Sequence, residues 1–240
     1  MLFSSGISDS NGGLIPQRLK HTSNKFTEAE PFSYDLIFTS MRKRNLIAPV
    51  FLFAVNRVSE GLGDAGTLTF GGLPRVTYVE SFATAPIVPE PDRLRKNVTD
   101  PGFYSTIVDG IVYGSGLVNL TGNANPFPTL DTGTRFLVLP YDQAKAVNSL
   151  FSHPAVLDAR TQRSVVPCKA IAPILGFQIG REIFYIYPDD LIQCNLDGTC
   201  ETNVASRPGL TLLGIQFFWN TAVVFDVGRI VIRVAARGEY

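Results

Sequence analysis

Short runs of hydrophobic residues, separated by polar turns, occupy most of this chain. β-forming residues dominate the runs at 49–58, 67–70, 104–112, 116–120, 129–131, 136–139, 165–168, 174–179 and 182–187. Clusters of Gly, Pro, Asn and Asp separate these runs, as is typical of turns. Many short strands with turn signals between them indicate an all-β sandwich or barrel.

Two segments show helical spacing instead. Between Pro31 and Arg44 the apolar residues recur at helical intervals, the proline suits a first helical turn, and the end is basic. A second, short helix is predicted from Tyr141 to Phe151. The closing segment, 212–235, is predicted to form a strand, a helical turn and a hairpin.

The segment 74–101 differs in composition from its surroundings. It carries five prolines among charged residues, which predicts a connecting segment with a domain boundary inside it. We therefore divide the chain into residues 1–83 and residues 84–240.

Composition and charge narrow the functional classes. Of the 240 residues, 45% are hydrophobic and only 18% are charged, which suits a chain that buries a large core. The formal net charge is zero, so there is no electrostatic footprint for nucleic acid or an anionic membrane. The apolar runs are too short and too often interrupted to span a bilayer. No basic start followed by an apolar core is visible at the N-terminus, so no secretion signal is predicted.

One glycine motif matches a dinucleotide-binding pattern in spacing but not in context. Gly61, Gly63 and Gly66 have the Gly-x-Gly-x-x-Gly spacing of dinucleotide-binding loops. That motif needs a following helix, whose N-terminus meets the pyrophosphate. Here Thr67–Phe70 follow and predict a strand, so a hairpin turn is the better interpretation and no cofactor is expected.

The chain has an odd number of cysteines: Cys168, Cys194 and Cys200. No Cys-x-x-Cys occurs and no histidine lies near them, which argues against a zinc site. One disulfide and one spare thiol are predicted, with no metal.

The most informative stretch runs from Phe127 to Pro140, where two apolar runs flank a polar turn. The turn consists of Asp131, Thr132, Gly133 and Thr134. Because hydrophobic runs flank it, we expect the carboxylate to be buried, with glycine allowing a tight fold. Neighbouring hydroxyls and amides can hydrogen-bond an ionised carboxylate and fix its orientation. Asp131 is therefore a candidate catalytic acid or base.

From about Pro49 onward, the chain resembles the later portion of a pepsin-like, fungal-type aspartic protease. Thr67–Gly72 resembles the strand that ends the N-terminal lobe of that family, and Leu130–Thr134 resembles the catalytic motif of the C-terminal lobe. Leu212–Gly214 resembles the segment against which the catalytic loop packs, and Val223–Asp226 resembles the closing hairpin. The resemblance implies an all-β fold consisting of the C-terminal lobe, a β-barrel, and a partial N-terminal lobe.

The resemblance also implies roles for individual residues. Asp131 would be one of two carboxylates that share a proton and activate a water molecule against a peptide bond. Thr132 would tie two catalytic loops together, Gly133 completes the motif, and Thr134 would hydrogen-bond Asp131. Residues around Cys168 and Cys200 resemble the C-lobe disulfide, which leaves Cys194 as the spare. A peptide or protein substrate and a secreted or vacuolar location are expected from the family.

The sequence also departs from the family pattern. Asp131 begins its only Asp-Thr-Gly, no Asp-Ser-Gly occurs, and the family's first catalytic turn and flap precede the region matched. We therefore expect a truncated, one-aspartate form that is weak or inactive alone. Alternatives are a protease active as a homodimer, a non-catalytic peptide-binding or inhibitory domain, and an incomplete gene model of a full protease. An exposed lobe face would favour homo-association. The neighbouring cation of Arg135 is expected to pair with Asp131.

Overall fold

The computed structural model of the protein describes residues 19–20, 33–34, 37–57, 65–73, 78–79, 81–88, 103–114, 116–119 and 127–238. Within these ranges short strands predominate, which confirms the predicted all-β class. The strands are β1 (Leu19–Lys20), β2 (Ser33–Tyr34), β3 (Val50–Val55), β4 (Gly66–Phe70), β5 (Ala83–Val88), β6 (Ser105–Thr106), β7 (Gly110–Tyr113), β8 (Gly116–Asn119), β9 (Thr129–Leu130), β10 (Leu137–Leu139), β11 (Val156–Asp158), β12 (Arg163–Val165), β13 (Leu175–Ile179), β14 (Glu182–Ile186), β15 (Ile192–Cys194), β16 (Cys200–Thr202), β17 (Val204–Ser206), β18 (Leu212–Leu213), β19 (Thr221–Asp226) and β20 (Val231–Ala236). The helices are α1 (Ile37–Lys43), α2 (Tyr141–Ser149) and α3 (Ile215–Asn220), with a 3₁₀ turn at Pro188–Leu191.

Half of the described strands belong to one long sheet. Its ten strands follow the order β17-β10-β18-β9-β6-β5-β20-β19-β3-β4. Two four-stranded sheets, β11-β12-β16-β15 and β14-β13-β7-β8, accompany it, and β1 pairs with β2. The first two strands of the long sheet in chain order, β3 and β4, are joined to the C-terminal hairpin β19–β20, because β3 pairs antiparallel with β19.

The strand β18 lies between β9 and β10. It runs parallel to β9, with Leu213 opposite Leu130, and antiparallel to β10, with Leu212 opposite Val138. The chain leaves β9, crosses the end of β18 and returns on its other side as β10. The crossing turn consists of residues 131–136. The sheet topology therefore places the Asp-Thr-Gly motif across the end of the buried strand β18.

Gly214 follows β18 directly beneath that crossing turn. A Cβ atom on Gly214 would lie 2.5 Å from the carbonyl oxygen of Thr134 and closer still to that of Phe136. Real Cβ atoms do not approach backbone oxygens so closely, so the turn can sit this low only above a glycine.

Aromatic rings fill the core beside the long sheet. The ring of Phe51 on β3 stacks on that of Phe225 on β19, with centroids 4.6 Å apart and an interplanar angle of 9°. Phe38 of α1 and Tyr104, which precedes β6, each meet Phe51 edge-on. Offset and edge-on aromatic pairs add to the free energy gained by burying the rings, so this cluster fixes α1 and β3 to the rest of the sheet.

A charged network joins the end of β3 to the 3₁₀ turn. The Arg57 guanidinium donates from Nε and Nη2 to the two carboxylate oxygens of Asp190, at 2.8 and 2.6 Å. Asn220, at the end of α3, accepts from Arg57 and donates to Asp190, at 2.8 Å each. The Asp190 side chain is 6% exposed and that of Arg57 is 32% exposed. A bidentate pair of this kind is geometrically specific as well as favourable.

Two sequence predictions need correction. The helix expected from Pro31 to Arg44 is only α1, because Ser33–Tyr34 pairs with β1 as a strand. Tertiary pairing here overrides helical periodicity. The segment 74–101 is more than a connection, since it contains β5, whose Ala83, Ala85 and Ile87 are buried in the long sheet. The division at residues 83 and 84 remains a prediction.

Other predicted strands are present with different bounds. The strands expected at 49–58 and 67–70 are β3 and β4, which pair antiparallel as a hairpin. Gly61 and Gly63 lie outside the described residues, but Gly66 begins a strand, as the hairpin interpretation requires. The expected strand 165–168 is displaced to β12. No helix in the described part of the chain is long and apolar enough to cross a membrane.

We expect Gly214→Ala to lower the free energy of unfolding by about 3 kcal/mol, because the new methyl group forces the turn 131–136 away from β18. Urea titration followed by fluorescence of Trp219, the single tryptophan, measures this change. Gly72→Ala is the matched control, since nothing lies within 4 Å of its Cβ position. Equal stability of the two variants would refute the steric argument.

Arg57→Ala should lower the free energy of unfolding by about 2–3 kcal/mol, because it leaves the buried Asp190 carboxylate without its cation. The partial exposure of Arg57 keeps the cost below that of a fully buried pair. Arg229→Ala is the comparison: its side chain is 78% exposed and pairs with Asp226 at 3.7 Å. It should change stability by no more than about 0.5 kcal/mol. A similar effect of both variants in the same urea titration would contradict the role given to Arg57.

Candidate active site

The Asp131 turn is anchored on both sides of its backbone. Its amide donates to the carbonyl oxygen of Leu213 at 3.0 Å, which continues the β9–β18 ladder by one residue. The amide of Ile215 donates to the carbonyl oxygen of Thr134 at 2.8 Å, and Thr134 in turn donates to the carbonyl oxygen of Asp131 at 3.2 Å. Two of these backbone bonds hold the turn to the segment around β18, and the third closes the turn itself.

The Asp131 carboxylate accepts a hydrogen bond on each oxygen. The amide of Gly133 donates to Oδ1 at 2.9 Å and the hydroxyl of Thr134 donates to Oδ2 at 2.6 Å. These contacts confirm the expected Thr134 bond and fix the plane of the carboxylate. The side chain is half-buried, not fully buried as predicted, because Gly133 at the tip of the turn is exposed. A fixed carboxylate that solvent can reach is able to accept a proton from a bound water molecule.

A hydroxyl pair lies behind the turn, at the base of β9. Ser105 Oγ and Thr129 Oγ1 are 2.8 Å apart and both residues are buried. The amide of Leu130 donates to the carbonyl oxygen of Tyr104 at 3.0 Å, and burial raises the pKa of the Tyr104 hydroxyl. These residues support β9 from below. Sequence reasoning missed this pairing, because Ser105 and Thr129 lie on separate strands.

The expected ion pair between Arg135 and Asp131 is wrong. Arg135 Nη2 lies 4.0 Å from Glu201 Oε2, and Arg163 Nη1 lies 3.2 Å from the same oxygen. Both guanidinium groups also lie over the ring of Phe136, at 5.0 and 4.2 Å from its centroid. Burial lowers the pKa of Arg135, while the Glu201 carboxylate acts in the opposite direction. Residues 135 and 136 already begin the return to β10, so Arg135 faces the sheet containing Glu201.

Thr132, the remaining residue of the predicted site, is half-buried. Its proposed role in tying two catalytic loops together remains a prediction.

The three cysteines lie together on the sheet β11-β12-β16-β15. Cys168 and Cys200 form the predicted disulfide, with Cα atoms 5.1 Å apart. Cys194, however, is not remote: it is also placed to bridge Cys200, with Cα atoms 4.1 Å apart. Among the described residues, these sulfurs are the ligand-type atoms close enough together to hold a metal ion. A disulfide removes two of the three from metal binding.

The chain matches one known protein family over most of its length. Residues 18–237 match the family described as "Eukaryotic aspartyl protease". The chain is 34% identical over 217 residues to a "Probable aspartic-type endopeptidase" of Aspergillus fumigatus, covering 86% of this chain and 48% of that protein.

Two further relatives are more distant. A protein of Arthroderma benhamiae with the same descriptive name is 26% identical over 204 residues, covering 82% of this chain and 36% of the relative. "Rhizopuspepsin-1" of Rhizopus niveus is 28% identical over 175 residues, covering 73% of this chain and 41% of that protein. The chain thus spans half or less of the length of these relatives. With both the family match and the Aspergillus relative extending over most of its residues, the chain belongs to the eukaryotic aspartyl protease family.

Proposed function

We propose that this chain supplies one of the two catalytic carboxylates of an aspartic-type endopeptidase, and that Asp131 is that carboxylate. The observation that carries the proposal is the placement of this hydrogen-bonded carboxylate on a turn whose backbone is bonded to the residues around the buried strand β18, from Asp131 to Leu213 and from Ile215 to Thr134. The two carboxylate bonds alone do not distinguish Asp131, because Asp158 accepts an equivalent pair in its own turn. A carboxylate that must meet a water molecule and a second carboxylate needs both a fixed orientation and an open side.

Peptide-bond hydrolysis by carboxylates requires two such groups. Two carboxyl groups a few ångströms apart do not both ionise readily, so they share one proton and divide the roles of base and acid. The ionised group takes a proton from water as its oxygen attacks the carbonyl carbon, and the protonated group donates its proton to the carbonyl oxygen. The carbon–nitrogen bond then breaks as the leaving nitrogen receives a proton.

The sequence contains a single Asp-Thr-Gly and no Asp-Ser-Gly. We infer that these 240 residues alone have weak activity or none. Asp131 would form the catalytic pair with a carboxylate from a second lobe. Peptides or proteins are the proposed substrates. A secreted or vacuolar location is proposed because acidic compartments favour a dyad that shares a proton, and oxidising ones maintain the disulfide.

The test is a chimera in which this chain replaces the matching half of the Aspergillus fumigatus relative, so that the relative supplies the other half. We expect the chimera to cleave denatured protein at about pH 3–5, with inhibition by a statine-type transition-state analogue. Asp131→Asn in the chimera should lower kcat by about 10²–10⁴-fold, because the amide cannot take the proton of water.

Asp189→Asn is the matched control, because Asp189 is an exposed aspartate on the 3₁₀ turn and should leave kcat unchanged. The 240-residue chain is assayed in parallel. Inhibitable cleavage by the chain alone, abolished by Asp131→Asn, would replace the two-lobe proposal with a homodimer. A folded chimera whose activity survives Asp131→Asn would overturn the assignment of Asp131.

Thr134 is proposed as a positioning residue, because its hydroxyl orients Asp131 without reaching the reacting atoms. In the chimera, Thr134→Val should lower kcat by about 10–100-fold with little change in KM, since a hydrogen bond to a charged group contributes about 1.5–3 kcal/mol. Thr134→Ser keeps the hydroxyl and should recover most of the activity. Equal kcat for the valine and serine variants would show that the hydroxyl has no such role.

A further inference from the structure

Three cysteines from different positions in the sequence lie close together at one end of the strands of the sheet β11-β12-β16-β15. Cys194 ends β15 and Cys200 begins β16, and the two residues lie directly opposite each other in the antiparallel ladder. Cys168 follows β12 and approaches Cys200 from the other side. All three sulfur atoms lie within 4.8 Å of one another.

The buried member of this cluster is shared by two possible bridges. Cys200 is placed to bond both Cys168 and Cys194. A cysteine sulfur forms only one disulfide, so the two bridges are alternatives and each oxidised molecule retains one thiol. Cys200 is 1% exposed, whereas Cys168 and Cys194 are both exposed. The remaining thiol therefore lies at an exposed position in either form.

We propose that Cys168, Cys194 and Cys200 form an intramolecular thiol–disulfide exchange unit, and that its mobile thiol is a covalent modification site. The Cys194 thiolate attacks the Cys200 sulfur, the Cys194–Cys200 bond forms, the Cys168–Cys200 bond breaks, and Cys168 leaves as the thiolate. One sulfur–sulfur bond replaces another, so the step needs no oxidant or reductant. The reverse step starts from Cys168.

The structure holds the released thiol near its target. Cys168 Sγ lies 3.4 Å from the carbonyl oxygen of Gly198, in the turn between β15 and β16, and can donate its proton there. The amide of Val166 donates to the carbonyl oxygen of Cys200 at 2.9 Å. The thiol bond to Gly198 is available only once Cys168 has left, and the Val166 backbone bond involves no sulfur, so together they keep the released Cys168 within reach of Cys200.

The two bridges close different parts of the chain. Cys168–Cys200 spans 32 residues and encloses β13, β14 and β15, whereas Cys194–Cys200 spans 6 residues within one hairpin. That hairpin is already held without a disulfide, because Asp197 Oδ1 accepts from the amide and hydroxyl of Thr199. Exchange therefore removes a long-range cross-link and replaces it with a local one.

The test is disulfide mapping of the oxidised 240-residue chain, quenched in acid and alkylated before digestion. We expect both bridges in the wild type and one alkylated cysteine per molecule, divided between Cys168 and Cys194. Cys194→Ser should contain only Cys168–Cys200, and Cys168→Ser only Cys194–Cys200, each without a reactive thiol. Both substitutions replace exposed residues, so folding should survive.

Alkylation kinetics distinguish exchange from a fixed mixture. With dilute iodoacetamide at pH 8, alkylation is slow and exchange can regenerate the more reactive thiol as it is consumed. The ratio of alkylated Cys168 to alkylated Cys194 should therefore change with reagent concentration. A ratio independent of concentration would overturn exchange. A single bridge in every wild-type molecule, or two thiols remaining in folded Cys168→Ser, would overturn the shared role of Cys200.

Discussion

The position of β18 between β9 and β10 is the constraint on which the candidate site depends. Because β9 and β10 flank the same strand, the residues between them must cross its end. They cross so closely above position 214 that only a glycine fits there. The crossing places Asp131 at the rim of the sheet with its backbone bonded to Leu213. Orientation of the carboxylate then follows from its own turn, through Gly133 and Thr134.

That arrangement is supported by parts of the chain far away in sequence. The aromatic stack of Phe51 on Phe225 joins β3 to the C-terminal hairpin, and the Arg57–Asp190 pair joins the end of β3 to the 3₁₀ turn. The long sheet is therefore continuous from β4 to β17. The early strands β3 and β4 and the late strands β19 and β20 are neighbours in this sheet.

The sequence by itself determined the strand-rich class and the family to which the chain belongs. The short apolar runs of β3 and β19 and the turn signals between strands led to an all-β fold, because short runs of β-forming residues bounded by turns indicate strands. The family resemblance around Asp131 implied its bond with Thr134, which a hydroxyl three residues further along can form within one turn. The same local reasoning rejected the glycine motif ending at Gly66, because a strand follows it.

Only the tertiary structure decided which distant groups meet. Arg135 is adjacent to the site in sequence yet turns to Glu201, because the return to β10 brings it beside another sheet. Sequence proximity could not reveal that choice, nor that Ser105 lies behind the turn. The strands β11, β12, β15, β16 and β17 lacked a clear apolar period, since many of their residues are exposed or half-buried. Their register nevertheless places Cys194 opposite Cys200, and pairing across a sheet is fixed by the fold as a whole.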